Sequence, residues 1–316
     1  MSEYRAILAI SPSVRYTIRR FWPLKPGQIL RLLIISFFIG AWITSPFPQD
    51  LSYGDFPWLS GLSGRSKVMN EASLIGSVMS GLMLILLVYA LFSSIFQFIF
   101  VDYLSLKTKE LLPSFRARAG MGIRLLGFYL GTILIIGICA VIAITGIAVP
   151  VLISQPDNPA AFFIALMYAL AGLLILIIPV WILTIITTDF IVPVMIVHTC
   201  GIMRGWKIFL QEITGMWDEI GIYLMIKIGF NIGTGIVLGI LLVTVIEGLG
   251  FSSLQIIPGM SSSQELLSTA YILPFLVMAM ITLVVMTPFV TFLRYYALVF
   301  LHLLSEKYSL LPDHNP

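Results

Sequence analysis

Six stretches of the 316-residue chain, roughly 28–45, 72–101, 122–153, 161–190, 219–247 and 269–303, are apolar over about twenty residues or more. That length carries a helix across a hydrocarbon layer about 30 Å thick. Between them the pattern changes. In "SPSVRYTIRRFW", Val14, Ile18, Phe21 and Trp22 recur at helical spacing while Arg15, Arg19 and Arg20 fall outside that stripe. Ser11 as cap and Pro12 at the first helical position predict a helix start there. Residues 202–216 repeat the design: Ile202, Trp206, Phe209, Ile213 and Met216 form one stripe, with Arg204, Lys207, Gln211 and Glu212 off it. Residues 104–118 read as a rougher version, interrupted by Pro113. Segments of this kind lie in the plane of a membrane interface.

The predicted fold class is therefore all-α, a polytopic membrane protein. A cytoplasmic amphipathic segment (1–27) leads into a six-helix transmembrane domain (28–303) and a cytoplasmic tail (304–316). Composition agrees, with 59% hydrophobic and 10% charged residues. Mean hydropathy is +1.03. Soluble domains run near 45–50% apolar and about 25% charged. Lys and Arg in the loops and at the span ends divide fourteen to two in favour of one side. The positive-inside rule then puts both termini in the cytoplasm of a multi-pass cell-membrane protein.

Four charges stand out within the spans or at their cytoplasmic ends: Asp102, Asp189, Lys227 and Arg294. An unpaired charge in hydrocarbon is costly, so a ring of cross-helix ion pairs is expected, Asp189 with Arg294 foremost. Pro179 and Pro193 are fourteen residues apart, as are Pro274 and Pro288, and each should break or bend its helix. The basic residues Arg15, Arg19, Arg20, Lys107, Lys109, Arg116, Arg118, Arg204 and Lys207 are the candidate contacts to anionic lipid headgroups.

Catalytic and cofactor patterns do not emerge. The chain holds no HExxH, P-loop, dinucleotide fingerprint or zinc-ribbon spacing, and its two cysteines and three histidines are scattered. No enzyme activity, cofactor, metal or nucleic-acid partner is expected. The expected partners are the bilayer, through its anionic headgroups, and a membrane-protein partner. The function that follows is a non-catalytic membrane scaffold or accessory protein. Its alternative is a transporter or permease for a small or amphiphilic solute, working through the proline-bearing fourth and sixth spans.

The stretches "FWPLKPGQILRLLIISFFIGAW", "FVDYLSLKTKELLPSFRARAGMGIRLLGFYL", "TTDFIVPVMIVHTCGIMRGWKIF" and "FLRYYALVFLHLL" resemble an uncharacterised family of archaeal multi-pass membrane proteins, best known from haloarchaea. The layout is more distantly similar to membrane domains of glycerophosphodiester phosphodiesterases. That resemblance implies an archaeal cell membrane and no activity.

Overall fold

The computed structural model describes residues 4–22, 25–41, 68–105, 111–154, 159–248 and 269–311. Among them all regular structure is helical. In chain order the helices are α1 (Arg5–Leu8), α2 (Ile10–Phe21), α3 (Pro26–Ile39), α4 (Val68–Leu104), α5 (Leu111–Ala143), α6 (Val149–Ser154) and α7 (Pro159–Ile186). They continue with α8 (Val192–His198), α9 (Ile202–Glu212), α10 (Trp217–Gly248) and α11 (Thr269–Leu304). Two π-helical turns, Ile144–Ala148 and Thr187–Ile191, join α5 to α6 and α7 to α8.

Five helical stretches are long and apolar enough to cross a membrane, within 80–104, 111–146, 163–198, 217–245 and 276–304. Protein covers only 6% of the most apolar window in the second and third. A helix that apolar and that uncovered needs lipid as its solvent. The backbone reason is equally general: in hydrocarbon, helices satisfy every N–H and C=O internally.

The first expected span differs. Helix α3 has 14 residues, about 21 Å at 1.5 Å per residue, short of the 30 Å layer. Gly40 ends it in the left-handed region at φ 92°. Gly40 N–H returns to the Phe37 carbonyl (3.1 Å) and Ala41 N–H to the Ser36 carbonyl (3.0 Å), a Schellman stop. The Tyr89 hydroxyl also donates to the Phe37 carbonyl at 2.8 Å. The remainder of that expected span, 42–45, lies outside the described residues.

Two other expectations change. Helix α2 begins at Ile10 after α1, with no side-chain cap, so Ser11 and Pro12 sit inside its first turn. Residues 111–118 are no separate surface segment but the opening turns of α5. Pro113 is tolerated there because first-turn N–H groups lack helical partners anyway.

The described residues fall into two compact units. The first takes residues up to Phe96 and Met216–Leu304. Its centre is an aromatic stack between α10 and α11. Tyr223 lies 5.0 Å from Tyr296 and 4.6 Å from Phe300, and Phe230 meets Phe292 edge-on at 5.1 Å. The Tyr296 hydroxyl donates to the Ala6 carbonyl (3.1 Å), and Tyr295 stacks on Tyr16 (5.5 Å). The small residues Ala6, Ala9 and Ser13 are buried, so α1 and α2 press their narrow side onto protein. Helix α3 packs on α4 through Phe38, 4.4 Å from Phe96.

The second unit takes Gln97–Gly215 and the tail from Ser305. Helix α9 is seated by Gly205. A Cβ there would lie 3.1 Å from Ile191 and 3.2 Å from Met195, so a glycine permits the approach. Phe209, one turn on, stacks on Phe190 at 5.1 Å.

Replacing Tyr296 by Phe removes the bond to Ala6 while keeping the stack. The expected loss is about 1 kcal/mol of stability, read by denaturant unfolding in mixed micelles. An unchanged midpoint would show that the hydroxyl does not hold the N-terminal helices.

Candidate functional site

The polar chemistry of the second unit gathers around the last turns of α4, the start of α5, the π turn after α7, and α9. Asp102 is 3% exposed and is gripped in bidentate fashion by Arg118. Nε reaches Oδ2 at 2.7 Å and Nη2 reaches Oδ1 at 3.0 Å. Planar guanidinium against planar carboxylate is the strongest pairing available to side chains. Arg118 was expected at the lipid surface. It is drawn inward because an unpaired Asp102 carboxylate would cost several kcal/mol in that setting. Asp102's partner thus comes from outside the four charges expected to pair among themselves.

Asp189 is 2% exposed within the Thr187–Ile191 π turn. In a regular α-helix the N–H of residue 193 would bond the Asp189 carbonyl, and Pro193 has none. The widened turn accommodates that loss, and α8 resumes with Pro193 in its first turn. The other π turn stands in the same place, two residues ahead of Pro150. Thr188 shares a hydrogen bond with Tyr129 of α5 (3.1 Å) and Thr187 bonds back to the Leu183 carbonyl (2.7 Å). Pro179 lies within α7. Pro274 and Pro288 interrupt nothing, since α11 runs unbroken from Thr269 to Leu304.

Lys227 and Arg294 are buried in the first unit, at 8% and 4% exposure. Deeper along α10, the Asn231 amide donates to the Lys227 carbonyl (3.0 Å) and the Thr234 hydroxyl to the Phe230 carbonyl (2.7 Å). These polar groups of α10 therefore bond to their own helix.

The headgroup candidates separate by exposure. Arg15 and Arg19 on α2, Arg116 on α5, and Arg204 and Lys207 on α9 are exposed, while Arg20 is half-buried. Lys107 and Lys109 lie outside the described residues. Around α2 three sides follow in order. The first is buried (Ser13, with Ala6 of α1 and Ala9 at the junction), the second exposed and apolar (Val14, Ile18), the third exposed and basic (Arg15, Arg19). Trp22, just past the helix, is 71% exposed. Helix α9 has the same three sides in the same rotational order. Gly205 and Phe209 are buried, Met203 and Leu210 are uncovered, and Arg204 and Lys207 point away from both.

One cluster escapes local pattern reading. The buried Tyr308, in the 3-10 turn Glu306–Tyr308, donates its phenol hydrogen to the Glu212 carboxylate at the end of α9. Lys307 Nζ stands 3.7 Å from the same carboxylate, and His198 meets the Tyr308 ring edge-on at 6.1 Å. Burial, then the hydrogen bond and charge of Glu212, then Cys200, push the phenol well above its ordinary range. The donor therefore keeps its proton throughout physiological pH. Only Gly205 left a local trace, as a glycine on the bulky stripe of α9. Tyr308 pairs across 96 positions of sequence, which no periodicity reveals. Among the described residues no three His, Cys, Asp or Glu side chains converge as a metal set.

Fold and site together define an all-helical, membrane-embedded protein. The chain belongs to a family of unknown function, DUF7544, whose sequence pattern matches residues 4–311. Membership carries no source organism and no link to phosphodiesterases. No curated protein and no solved structure matches the chain.

Asp102→Leu strands the guanidinium and is expected to cost about 3 kcal/mol. Pairing it with Arg118→Met should recover most of that loss. Thermal unfolding of both variants in detergent tests this, and equal destabilisation by the single and double changes would mean that the pair contributes nothing specific.

Proposed function

We propose that the protein is a non-catalytic membrane scaffold or accessory protein whose helices α2 and α9 rest in the cytoplasmic interface and engage anionic lipid headgroups. The observation that carries this reading is the three-sided character of both helices. One side is committed to protein, and the other two are an uncovered apolar strip and an exposed basic strip. An apolar strip 39% exposed at Val14 and 59% at Ile18 is costly in water. It is stabilised where it sinks about 5–10 Å into the headgroup boundary. Arg15, Arg19, Arg204 and Lys207 then meet phosphate, at about 1 kcal/mol per basic residue. Trp22 and Trp217, the latter 58% exposed at the start of α10, suit the same depth.

Both surfaces are docked on protein before any lipid arrives, through Tyr16 and Ala6 for one and Gly205 for the other. A preorganised surface loses little conformational entropy on engagement. The side chains of Asp102 and Arg118 are occupied with each other, which supports a structural role for them over a transport path.

The test uses full-length protein keeping only Trp22 or only Trp206, in phosphatidylcholine bilayers containing a minor fraction of phosphatidylglycerol. Brominated phosphatidylglycerol should quench either tryptophan more strongly than brominated phosphatidylcholine. Neutralising Arg15, Arg19, Arg204 and Lys207 to Gln should remove the difference. Equal quenching by both lipids at low salt would end the headgroup reading.

A further inference from the structure

The tail beyond α11 is held almost wholly by tertiary contacts. Ser305 is extended (φ −151°, ψ 125°), a single 3-10 turn follows, and Ser309 leaves regular geometry (φ −66°, ψ 76°). Exposure alternates along it: Glu306, Lys307 and Ser309 are exposed, whereas Tyr308 and Leu310 are buried at 1% and 6%. Two apolar anchors on a nearly unstructured strap have the form of a removable fastening. What they fasten is the end of α9. The side-chain partners of Glu212 among the described residues are Tyr308 and Lys307, both from the strap.

Helix α9 needs such a fastening. With 11 residues it is below the length at which an isolated helix holds itself in water, about 12–15 residues. Gly201 caps its start with no side-chain hydrogen bond. Gly205 and Phe209 seat the first two turns, the buried Ile213 follows the last turn, and Glu212 ties that turn to the strap.

We propose that residues 305–311 form a latch that holds α9 in its lipid-facing register, with Glu212 as the catch. This rests on the headgroup reading of α9 and adds its regulation. The groups around the catch are Tyr308 and Lys307 from the strap, with His198 at the end of α8 and Cys200 just past it beside Tyr308. A charged Glu212 attracts Lys307 and accepts a charge-assisted bond from the phenol. Replacing Glu212 by Gln removes the first and weakens the second, so that change opens the latch. Ionising Tyr308 would set two anions face to face, so strong alkali opens it too. When the latch opens, the last turn of α9 frays. Leu210 and Lys207 then lose their fixed direction, and lipid engagement by α9 falls while that by α2 is kept.

Hydrogen exchange of the full-length protein in nanodiscs tests this, with Tyr308→Phe as the main variant and Glu212→Gln as the second. Tyr308→Phe should speed exchange about tenfold or more at 305–311 and at 209–213 together. It should also reduce the preference of Trp206, but not of Trp22, for brominated phosphatidylglycerol. Glu212→Gln, which loses the charge that draws Lys307 and accepts a weaker bond from Tyr308, should act in the same direction. A strap that exchanges faster while α9 keeps its protection overturns the latch, as does no change in either segment. If Tyr308→Phe does not fold, the exchange of Glu212→Gln decides by the same criteria. A wild type with no anionic preference at either tryptophan removes the headgroup reading and leaves the exchange result to decide the latch.

Discussion

A backbone amide, a hydroxyl or a carboxylate placed among lipid tails has no water to turn to, and several local features of the described residues answer that shortage. Threonines along the spans bond to the carbonyl one turn back, as Thr234, Thr287 and Thr291 do. The carbonyls at the end of α3 are taken up by Gly40, Ala41 and Tyr89. Before two of the prolines, Pro150 and Pro193, the helix widens into a π turn instead of breaking. Asp102 is accommodated only because Arg118 turns inward to meet it.

The same shortage explains which parts were legible beforehand. Long apolar runs have one solution in lipid, so the helical class and five of the spans followed from the pattern. Helix ends were harder, because Gly40 stops α3 through a backbone conformation that hydropathy does not register. The stripe on α2 was legible as a pattern but not as a set of contacts. Its large apolar residues remain uncovered, while the small Ala6, Ala9 and Ser13 meet protein. Size, not hydropathy, decided which side could approach α11.

Charges were the least legible. Reading Arg118 as a topology signal was reasonable from its neighbours Arg116 and Arg124, yet a carboxylate sixteen positions away decides its direction. The Glu212–Tyr308 contact is less accessible still, since nothing near either residue calls for the other. Interactions that depend on chain return rather than on spacing are where sequence reasoning runs out, and the candidate site is built largely from them.

Tyr296 and Ala6 are 290 positions apart. During synthesis α1 and α2 emerge long before α11, whose surface receives Ala6 and Tyr16. The second unit, apart from its tail, has its residues in hand long before α11 leaves the ribosome. The first unit must wait with its small-residue face uncovered. Ribosome stalling or truncation ahead of Tyr295 would therefore leave a chain with one assembled half and one unclosed half. Quality-control proteases at the membrane would meet that unfinished N-terminal face first.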